Sequence, residues 1–532
     1  MPPALSARER LVQAAPPIGD RLLSTDIAFD KAGAGIILTS AVRNDSPVGR
    51  QWMRCVAQPP AAVGGREQGQ AITAEGGCAT STSSAPAGSV AKERCEMASE
   101  KLSGSSRREF LRASAVAASG AAMAHLAAPV GAYAQGADTI RLGMIGAGGR
   151  CTGAAMDAMT VDPGVKLVAV CDMFMDRARN ARNHLKKQKP EQVDAPDERV
   201  FDGFDGYKKV IECCDVVCIA NAAKFHPLHT RAAIEAGRHV FVEKPHAIDP
   251  YGIKMLEEAL KLAAAKKLCV VSGLQSRYDP GFREAMQRIH DGAIGDIVAI
   301  EENFLRGPYG LYRRQPGQTE VQYQVSNQYH FTWLSGDDVP QSLVHNIDRS
   351  LWALKEQPPA TCHGLGGRSS MTDEIYGNVF DHHSVVYVYP NGTRIYAFCR
   401  TTTGCYNEVS SLIFGTKGRC NLFACSIEGE TKWRYAGPRP SPYHEEHRAL
   451  FTAIRKGQVV SSAYHMARST LVTIMGQLSC YTGAEVKWAD VEKSDFFYPP
   501  KPEDCRNDME PPTKPGPTGS YPVYIPGQTR LL

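Results

Sequence analysis

A glycine-rich turn does most to limit the folds that this chain can adopt. The apolar segment Ile140–Ile145 runs directly into Gly146-Ala-Gly-Gly-Arg-Cys151, where a helical pattern begins. Gly146 allows a tight turn, Gly148 lets a ligand approach the backbone, and the helix start directs its amide groups toward an anion. A strand, a glycine turn and a helix in this order predict a parallel sheet with a dinucleotide site at its edge.

Two further residues bear on that site. Cys151 stands where the dinucleotide pattern usually has a third glycine, but cysteine is small enough to keep the helix close to the strand. Asp172 ends the second predicted strand, where a carboxylate can bind ribose hydroxyls and repel a 2′-phosphate. This favours NAD over NADP, although Arg177 leaves NADP possible because it could approach a phosphate.

Short apolar strands alternate with helical segments from Thr139 to Gly273. This alternation predicts βαβ units and a parallel sheet covered on both faces. The five strands are predicted at Ile140–Ile145, Lys166–Cys171, Asp215–Ala220, His239–Val242 and Leu268–Ser272.

After Gly273 the strands become longer and alternate in polarity. Val379–Tyr389 and Arg394–Arg400 flank Pro390-Asn-Gly392, a strong hairpin signal. The predicted fold class is therefore α/β, with a Rossmann domain at 139–273 and a C-terminal α/β domain at 274–490. The second domain is expected to contain an open, mainly antiparallel sheet, and the Pro-rich residues 491–532 are expected to form an extended surface tail.

The first 138 residues differ from the rest. Residues 1–96 are rich in small and polar residues without a sustained period, which predicts disorder. Arg107-Arg108 precedes a weakly apolar stretch that ends in Ala132-Tyr-Ala134, the order of a twin-arginine export signal with its cleavage site. A short Ala-rich helix would not explain that order. We therefore expect a signal peptide at 97–138, an extracytoplasmic location, and a true translation start at Met97.

The charge and cysteine patterns argue against a nucleic-acid-binding protein and against a metal-binding or disulfide-dependent one. The chain has 60 basic and 56 acidic residues and no basic block interleaved with aromatics, so nucleic-acid binding is not expected. Its 16 cysteines show no paired C-x-x-C spacing, which argues against a zinc site. We therefore predict neither a metal centre nor a required disulfide framework.

A single lysine gives the strongest indication of chemistry. Lys244 follows the apolar strand His239–Val242 in the run Glu243-Lys-Pro245. Ligands gather at the carboxyl ends of parallel strands, and an ammonium there can stabilise an alkoxide as hydride leaves. Pro245 favours an extended backbone at Lys244, which helps to aim the side chain. A solvated surface lysine is the weaker alternative after a buried strand.

The chain resembles the glucose–fructose oxidoreductase, inositol dehydrogenase and rhizopine-catabolism (Gfo/Idh/MocA) family from about Ile140 to Trp488. The resemblance rests on the glycine turn, on Ala232–His246 and on Gly336–Asp348. Two later segments, Tyr376–His383 and Gly415–Gly418, resemble the secreted twin-arginine branch. The resemblance implies an NAD(P)-dependent dehydrogenase that acts on CH–OH groups of a sugar or cyclic polyol. It also implies a homo-oligomer formed through the C-terminal sheet.

The resemblance also implies roles for individual residues. Lys244 and His345 match the catalytic positions, although a lone histidine on an apolar helix face is more often a core residue. Of His382 and His383, at most one is expected to face the site. The implied cofactor-binding residues are Gly146, Gly148, Gly149, Arg150, Asp172, Asn221, His226, Glu243, Lys244 and Gln275. The implied substrate-binding residues are Arg277, Tyr278, Gln341 and Asp348.

Gln341 departs from the family, which commonly has a carboxylate four residues before the histidine. Either His345 works without that partner, or the chemistry differs. Two alternatives to a dehydrogenase therefore remain: a glycosidase that uses NAD without consuming it, and a carbohydrate-binding protein that has lost catalysis. Lys244 argues against the glycosidase, since the related glycosidases lack this lysine.

Export argues for a tightly held cofactor that is recycled in each turnover. Loop residues such as Arg306–Arg314 are expected to determine which substrate is bound.

Overall fold

The computed structural model describes residues 139–532 and two short strands nearer the N-terminus. These strands, β1 (Thr25–Phe29) and β2 (Ile36–Ser40), pair antiparallel with Thr25 opposite Ser40. They lie within the segment 1–96 for which disorder is predicted. The rest of that segment and the predicted export signal at 97–138 lie outside the described residues.

A six-stranded parallel sheet forms the first half of the main unit, in the order β5-β4-β3-β6-β7-β8. Its strands are β3 (Ile140–Ile145), β4 (Val165–Asp172), β5 (Val200–Asp202), β6 (Val216–Ile219), β7 (His239–Val242) and β8 (Val270–Ser272). The connecting helices are α1 (Gly149–Val161), α2 (Met175–Gln188), α3 (Gly206–Cys213), α4 (His226–Glu235) and α5 (Pro250–Ala265).

Helices cover both faces of this sheet, as the continuous apolar strands predict. Every residue of β6 and β7 is buried. Side chains such as Met144 and Phe241 join the core on one face, and Val217 and Val240 join Leu256 in the core on the other. The sheet order reverses direction between β3 and β6, so a crevice opens at the carboxyl ends of those strands.

The second half contains a nine-stranded sheet in the order β16-β15-β14-β13-β9-β12-β11-β10-β17. Only the β9–β12 pair is parallel, so the predicted α/β fold with a mainly antiparallel second sheet is confirmed. The strands are β9 (Ile297–Leu305), β10 (Thr361–Gly367), β11 (His382–Val388), β12 (Arg394–Arg400), β13 (Glu408–Gly415), β14 (Gly418–Asn421), β15 (Ser426–Gly429), β16 (Trp433–Arg434) and β17 (Val486–Lys487).

Helices pack against one face of this sheet. Val385 and Ile395 of the sheet join Met475 and Leu478 in a shared core, whereas Leu365 on the other face is 76% exposed. The remaining helices are α6 (Pro280–His290), α7 (Glu320–Ser326), α8 (Thr332–Ser335), α9 (Val344–Ala353), α10 (Pro442–Arg455), α11 (Ala463–Thr482) and α12 (Trp488–Lys493). A π-helical turn, Val339–Leu343, leads into α9.

Helix α10 returns to the parallel sheet. This helix falls within the predicted C-terminal domain, but its residues Leu450 and Phe451 are buried in the core that contains Met144. The next residues run beside β8, where the Val270 amide donates to the Val460 carbonyl at 3.0 Å. The Rossmann half is therefore completed by residues from the C-terminal part of the chain.

The described residues contain neither a membrane-spanning helix nor a cluster of metal ligands. None of their helices is both long and apolar enough to cross a membrane. In the same part of the chain, no group of three or more His, Cys, Asp or Glu side chains is placed to hold a metal ion.

Candidate active site

The glycine turn leaves open space where an anion could approach. Gly146 has φ +92°, and a Cβ there would lie 2.8 Å from the backbone nitrogen of Asn221. A Cβ built on Gly148 or Gly149 would meet no atom within 4 Å. Gly148 is also the N-cap of α1 and places no side chain over the first amides of that helix. The turn can therefore accept a phosphate group against the helix N-terminus.

Asp172 closes one side of this space. Its carboxylate accepts hydrogen bonds from the amides of Ala147 (2.7 Å) and Phe174 (3.1 Å), and the Arg177 guanidinium lies 3.8 Å away. Burial raises the pKa of the Asp172 carboxyl above its ordinary value. Each carboxylate oxygen has two lone pairs, so both can still accept a ribose hydroxyl. We call the cavity bounded by these residues the nucleotide chamber, and its lining also includes Gly146, Gly148, Met173, Gly203, Phe204, Ala220, Asn221, Phe225, His229, Val325 and Gln328.

We expect Asp172→Asn to raise the affinity for NADP relative to NAD by about tenfold, or about 1.4 kcal/mol. The substitution removes the charge that repels a 2′-phosphate and leaves Arg177 free to attract it. Titration calorimetry with both dinucleotides would measure the ratio. Asp176→Asn, which alters a carboxylate in the first turn of α2, is the control. An unchanged ratio in Asp172→Asn would remove this residue from cofactor selection.

Cys151 occupies the third glycine position without disturbing the turn. The residue is fully buried, and its thiol lies 3.6 Å from the Ile145 carbonyl and 3.8 Å from the Cys218 sulfur. Helix α1 thus remains in contact with β3 and β6, as the small size of cysteine predicts.

A second cavity lies next to the nucleotide chamber, with Ala220, Asn221 and Gln328 lining both. We call it the lysine chamber because Lys244 enters it from the end of β7. Its other lining residues are Arg150, Ala223, His226, Glu243, Tyr329, Leu334, Ser335 and Gln341. Six residues of the predicted site therefore meet here, contributed by α1, the loop after β6 with the start of α4, the loop after β7, and the π-helical turn.

The ammonium group of Lys244 is held in place by a hydrogen bond. Its ammonium donates to the Gln341 carbonyl at 2.9 Å, and the Lys244–Pro245 peptide bond is cis. The side-chain amide of Gln341 donates to the Ser335 carbonyl at 2.8 Å, so the residue braces the lysine through its backbone. An ammonium has three donors, which leaves two for a substrate hydroxyl or other acceptors.

Arg150 is paired with acids from both halves of the main unit. Its guanidinium contacts Glu243 at 2.5 Å and Glu446 of α10 at 3.4 Å, and lies 4.8 Å from the centre of the Tyr443 ring. Burial, followed by the charge of Glu243, raises the pKa of Glu446 well above its ordinary value. Glu446 and Tyr443 were not predicted as site residues because no local motif marks them.

Two histidines border the lysine. Both ring nitrogens of His226 face backbone carbonyls, those of Pro245 (2.7 Å) and Asn221 (3.1 Å). This imidazole therefore connects the two loops of the lysine chamber. His345 lies in the first turn of α9, where burial, and then the charge of Lys244, lower its pKa well below the ordinary value. The catalytic role of His345 stays a prediction.

Other predicted residues lie outside the two chambers. Arg277 forms a two-pronged ion pair with the fully buried Asp348 (2.8 and 2.9 Å) and also contacts Glu356 at 2.6 Å. The Gln275 amide donates to the Tyr443 hydroxyl, and Tyr278 packs beside the Rossmann core. These contacts connect structural elements to one another. Substrate binding by Arg277, Tyr278 and Asp348 therefore stays a prediction. Cofactor binding by Gln275 also stays a prediction.

The two histidines of β11 face opposite ways. His383 is buried 3.4 Å from Asp337, and the half-exposed His382 pairs with Asp381. Neither belongs to the lining of the two chambers.

Residues 306–335 supply part of the lysine chamber that no motif predicts. Tyr329 lines it, and its ring stacks on Tyr309 with centroids 4.0 Å apart. Arg306 lies 3.7 Å above the Tyr309 ring and forms a 2.6 Å ion pair with Asp338. The repeated tyrosines of this segment are the one sequence feature that could have indicated a binding site there. The sequence does not indicate which of them faces the cavity.

Comparison with known proteins agrees with this geometry. Residues 140–274 match the model of the Gfo/Idh/MocA oxidoreductases, a family described by its NAD-binding Rossmann fold. The chain is 29% identical over 220 residues to inositol 2-dehydrogenase 3 of Saccharopolyspora erythraea, covering 41% of this chain and 55% of that protein. It is also 29% identical over 163 residues to a glycosyl hydrolase family 109 protein of Streptomyces coelicolor, covering 30% and 33% of the two chains. The chain thus spans about half or less of the length of these relatives.

A solved structure extends the likeness to the second domain. The fold superposes on levoglucosan dehydrogenase, solved with NADH and levoglucosan, with a TM-score of 0.53 at 17% identity. The match covers 66% of this chain and all of that one, and at this identity it establishes the fold alone. With the glycine turn and Asp172, this match identifies residues 140–274 as an NAD-binding Rossmann domain similar to that of the Gfo/Idh/MocA oxidoreductases.

Proposed function

We propose that this protein is an NAD-dependent oxidoreductase that moves hydride between the cofactor and a CH–OH group of a sugar or cyclic polyol. The observation that carries the proposal is the position of Lys244, which lines a cavity that shares three lining residues with the nucleotide chamber. The inositol dehydrogenase among the relatives and the levoglucosan dehydrogenase among the solved structures support this substrate class.

The residues fit a dinucleotide. Gly148 and Gly149 leave an open cradle over α1, and the side-chain oxygen of Asn221 is buried without a hydrogen-bond partner between the two chambers. Asp172 would hold the ribose and the glycine turn the pyrophosphate, with Asn221 beside the nicotinamide end. When bound, NAD supplies the acceptor for the hydride.

Lys244 and His345 would handle the proton. The two free donors of the Lys244 ammonium can hold the reacting hydroxyl and stabilise the alkoxide that forms as its proton leaves. His345, in the first turn of α9, is the proposed acceptor of that proton. Because Gln341 contributes a carbonyl to Lys244 and no carboxylate to His345, the pair works without the acid that is common in the family.

We further propose that the protein is exported by the twin-arginine route and retains its cofactor. The order of Arg107-Arg108, the weakly apolar stretch and Ala132-Tyr-Ala134 supports export. That route carries folded proteins, so NAD can be loaded before export, and recycling within each turnover would avoid dependence on free NAD. The partly exposed face of the nine-stranded sheet, with Leu365, is the proposed oligomer contact.

One experiment tests the function. The purified protein is denatured, the released nucleotide is identified by mass spectrometry, and the native protein is assayed with sugars and polyols at the absorbance of reduced nicotinamide. We expect a stoichiometric NAD and a substrate-dependent absorbance change. Release of a reducing sugar from a glycoside without net absorbance change would instead indicate a glycosidase. Absence of both nucleotide and turnover would indicate a protein that has lost catalysis.

A further inference from the structure

The last residues of the chain, predicted to form an extended surface tail, are docked against the rest of the protein at several points. Residues 494–532, which we call the C-terminal strap, have little regular structure, yet Tyr498 and Tyr521 are each only 3% exposed. Buried aromatic side chains at both ends indicate that the strap is docked along its length.

The first docking point lies on the loop after β6. Lys224, only 3% exposed, donates from its ammonium to the Tyr498 carbonyl at 2.7 Å. The Tyr498 amide in turn donates to Asp249 at 3.1 Å. A buried ammonium is costly to leave without an acceptor, so Lys224 fixes the loop and the strap to each other. That loop carries Asn221 and Phe225, both of which line the nucleotide chamber.

The second docking point lies on the loop after β5. Asn507 accepts a hydrogen bond from the Phe204 amide at 3.2 Å. Gly203 has φ +77°, and a Cβ there would lie 2.6 Å from the Asn507 side chain, so the strap is in close contact with this turn. Gly203 and Phe204 line the nucleotide chamber, and the Phe204 ring lies 5.4 Å from that of Phe225. The strap therefore holds both loops where they meet.

The far end of the strap is anchored on the C-terminal domain. Gln324 of α7 donates to the Thr513 carbonyl at 2.8 Å, and the Gly527 amide donates to the Thr482 carbonyl at 2.8 Å. Helix α7 also supplies Val325 to the lining of the nucleotide chamber. The strap thus connects three chamber walls that lie on two domains.

We propose that Lys224 and Asn507 are positioning residues for the cofactor site, and that the strap uses them to hold the nucleotide chamber closed around NAD. Loops fixed in the bound conformation lose less entropy when the ligand binds, and they must separate before it leaves. The strap therefore slows cofactor release, which matches an enzyme that recycles a retained cofactor. This inference rests on the proposed function.

The test uses full-length Lys224→Met, Asn507→Ala and the double variant. NAD affinity is measured by calorimetry and NAD release by stopped-flow displacement. We expect the double variant to bind NAD at least tenfold more weakly, mainly through faster release, while Lys224→Arg keeps a donor and restores most of the affinity. Ser520→Ala is the control, because its hydroxyl contacts only the Thr372 carbonyl at the exposed far end.

Two results would overturn the inference: NAD affinity and release within twofold of wild type in the folded double variant, or an equal loss in Ser520→Ala. If Lys224→Met does not fold, Asn507→Ala carries the same test, because Asn507 is exposed and its removal leaves the core intact. A wild-type protein that binds no dinucleotide would instead refute the proposed function, so the two failures are distinguishable.

Discussion

Lys244→Met is expected to lower kcat/KM for the sugar or polyol by about a thousandfold, the range set by losing electrostatic and acid–base assistance together. Methionine keeps the length of the side chain but removes the charge and the hydrogen bond to the Gln341 carbonyl. The nucleotide chamber does not include Lys244, so NAD affinity is expected to stay within about threefold of wild type, or about 0.7 kcal/mol. Initial rates give kcat/KM, and calorimetry on the same preparation gives the NAD affinity.

Lys261→Met, on an exposed position of α5, is the matched control and should leave both quantities unchanged. If Lys244→Met kept more than a tenth of wild-type kcat/KM, the lysine would not stabilise the alkoxide. A parallel loss of NAD affinity would show that it supports the cofactor site instead.

The parallel sheet was the part of the fold most accessible from sequence. The predicted bounds of β3 and β7 match the structure because both strands are short apolar runs ended by turn residues. Strand β5 was missed, since Val200–Asp202 is too short to show a period. Strand β10 was missed because three of its seven residues are glycines, which contribute nothing to an alternating pattern.

The residues of the candidate site also fall into those that the sequence predicts and those that it does not. Gly146, Asp172 and Lys244 were predictable because each lies at or just after the carboxyl end of a strand, and parallel strands bring those ends to one edge. The pairing of Arg277 with Asp348 could not be predicted, because it depends on contact between elements that are far apart in sequence. The same holds for Glu446, whose helix returns to the Rossmann half. Composition indicated that residues 491–532 lack regular structure, but it could not indicate where they dock.

Gly146→Ala is expected to weaken NAD binding by roughly a hundredfold, since strain of about 3 kcal/mol would fall on the turn. At φ +92° an alanine is strained on its own, and its Cβ would lie 2.8 Å from the Asn221 nitrogen and 3.0 Å from the Ala220 carbonyl carbon. Both atoms are backbone, so no side-chain rotation can relieve the contact. The turn or the loop after β6 must move, and both line the nucleotide chamber.

Gly153→Ala is the matched control, because its Cβ would sit within α1 with its nearest neighbour, a nitrogen of Arg150, 3.7 Å away. This variant should bind NAD within about threefold of wild type, and the better helix propensity of alanine should stabilise it by up to about 1 kcal/mol. Calorimetric NAD titration and thermal unfolding of both variants make the comparison. NAD binding by Gly146→Ala at wild-type strength would mean that the cofactor does not depend on the turn, and the nucleotide chamber would lose its assignment.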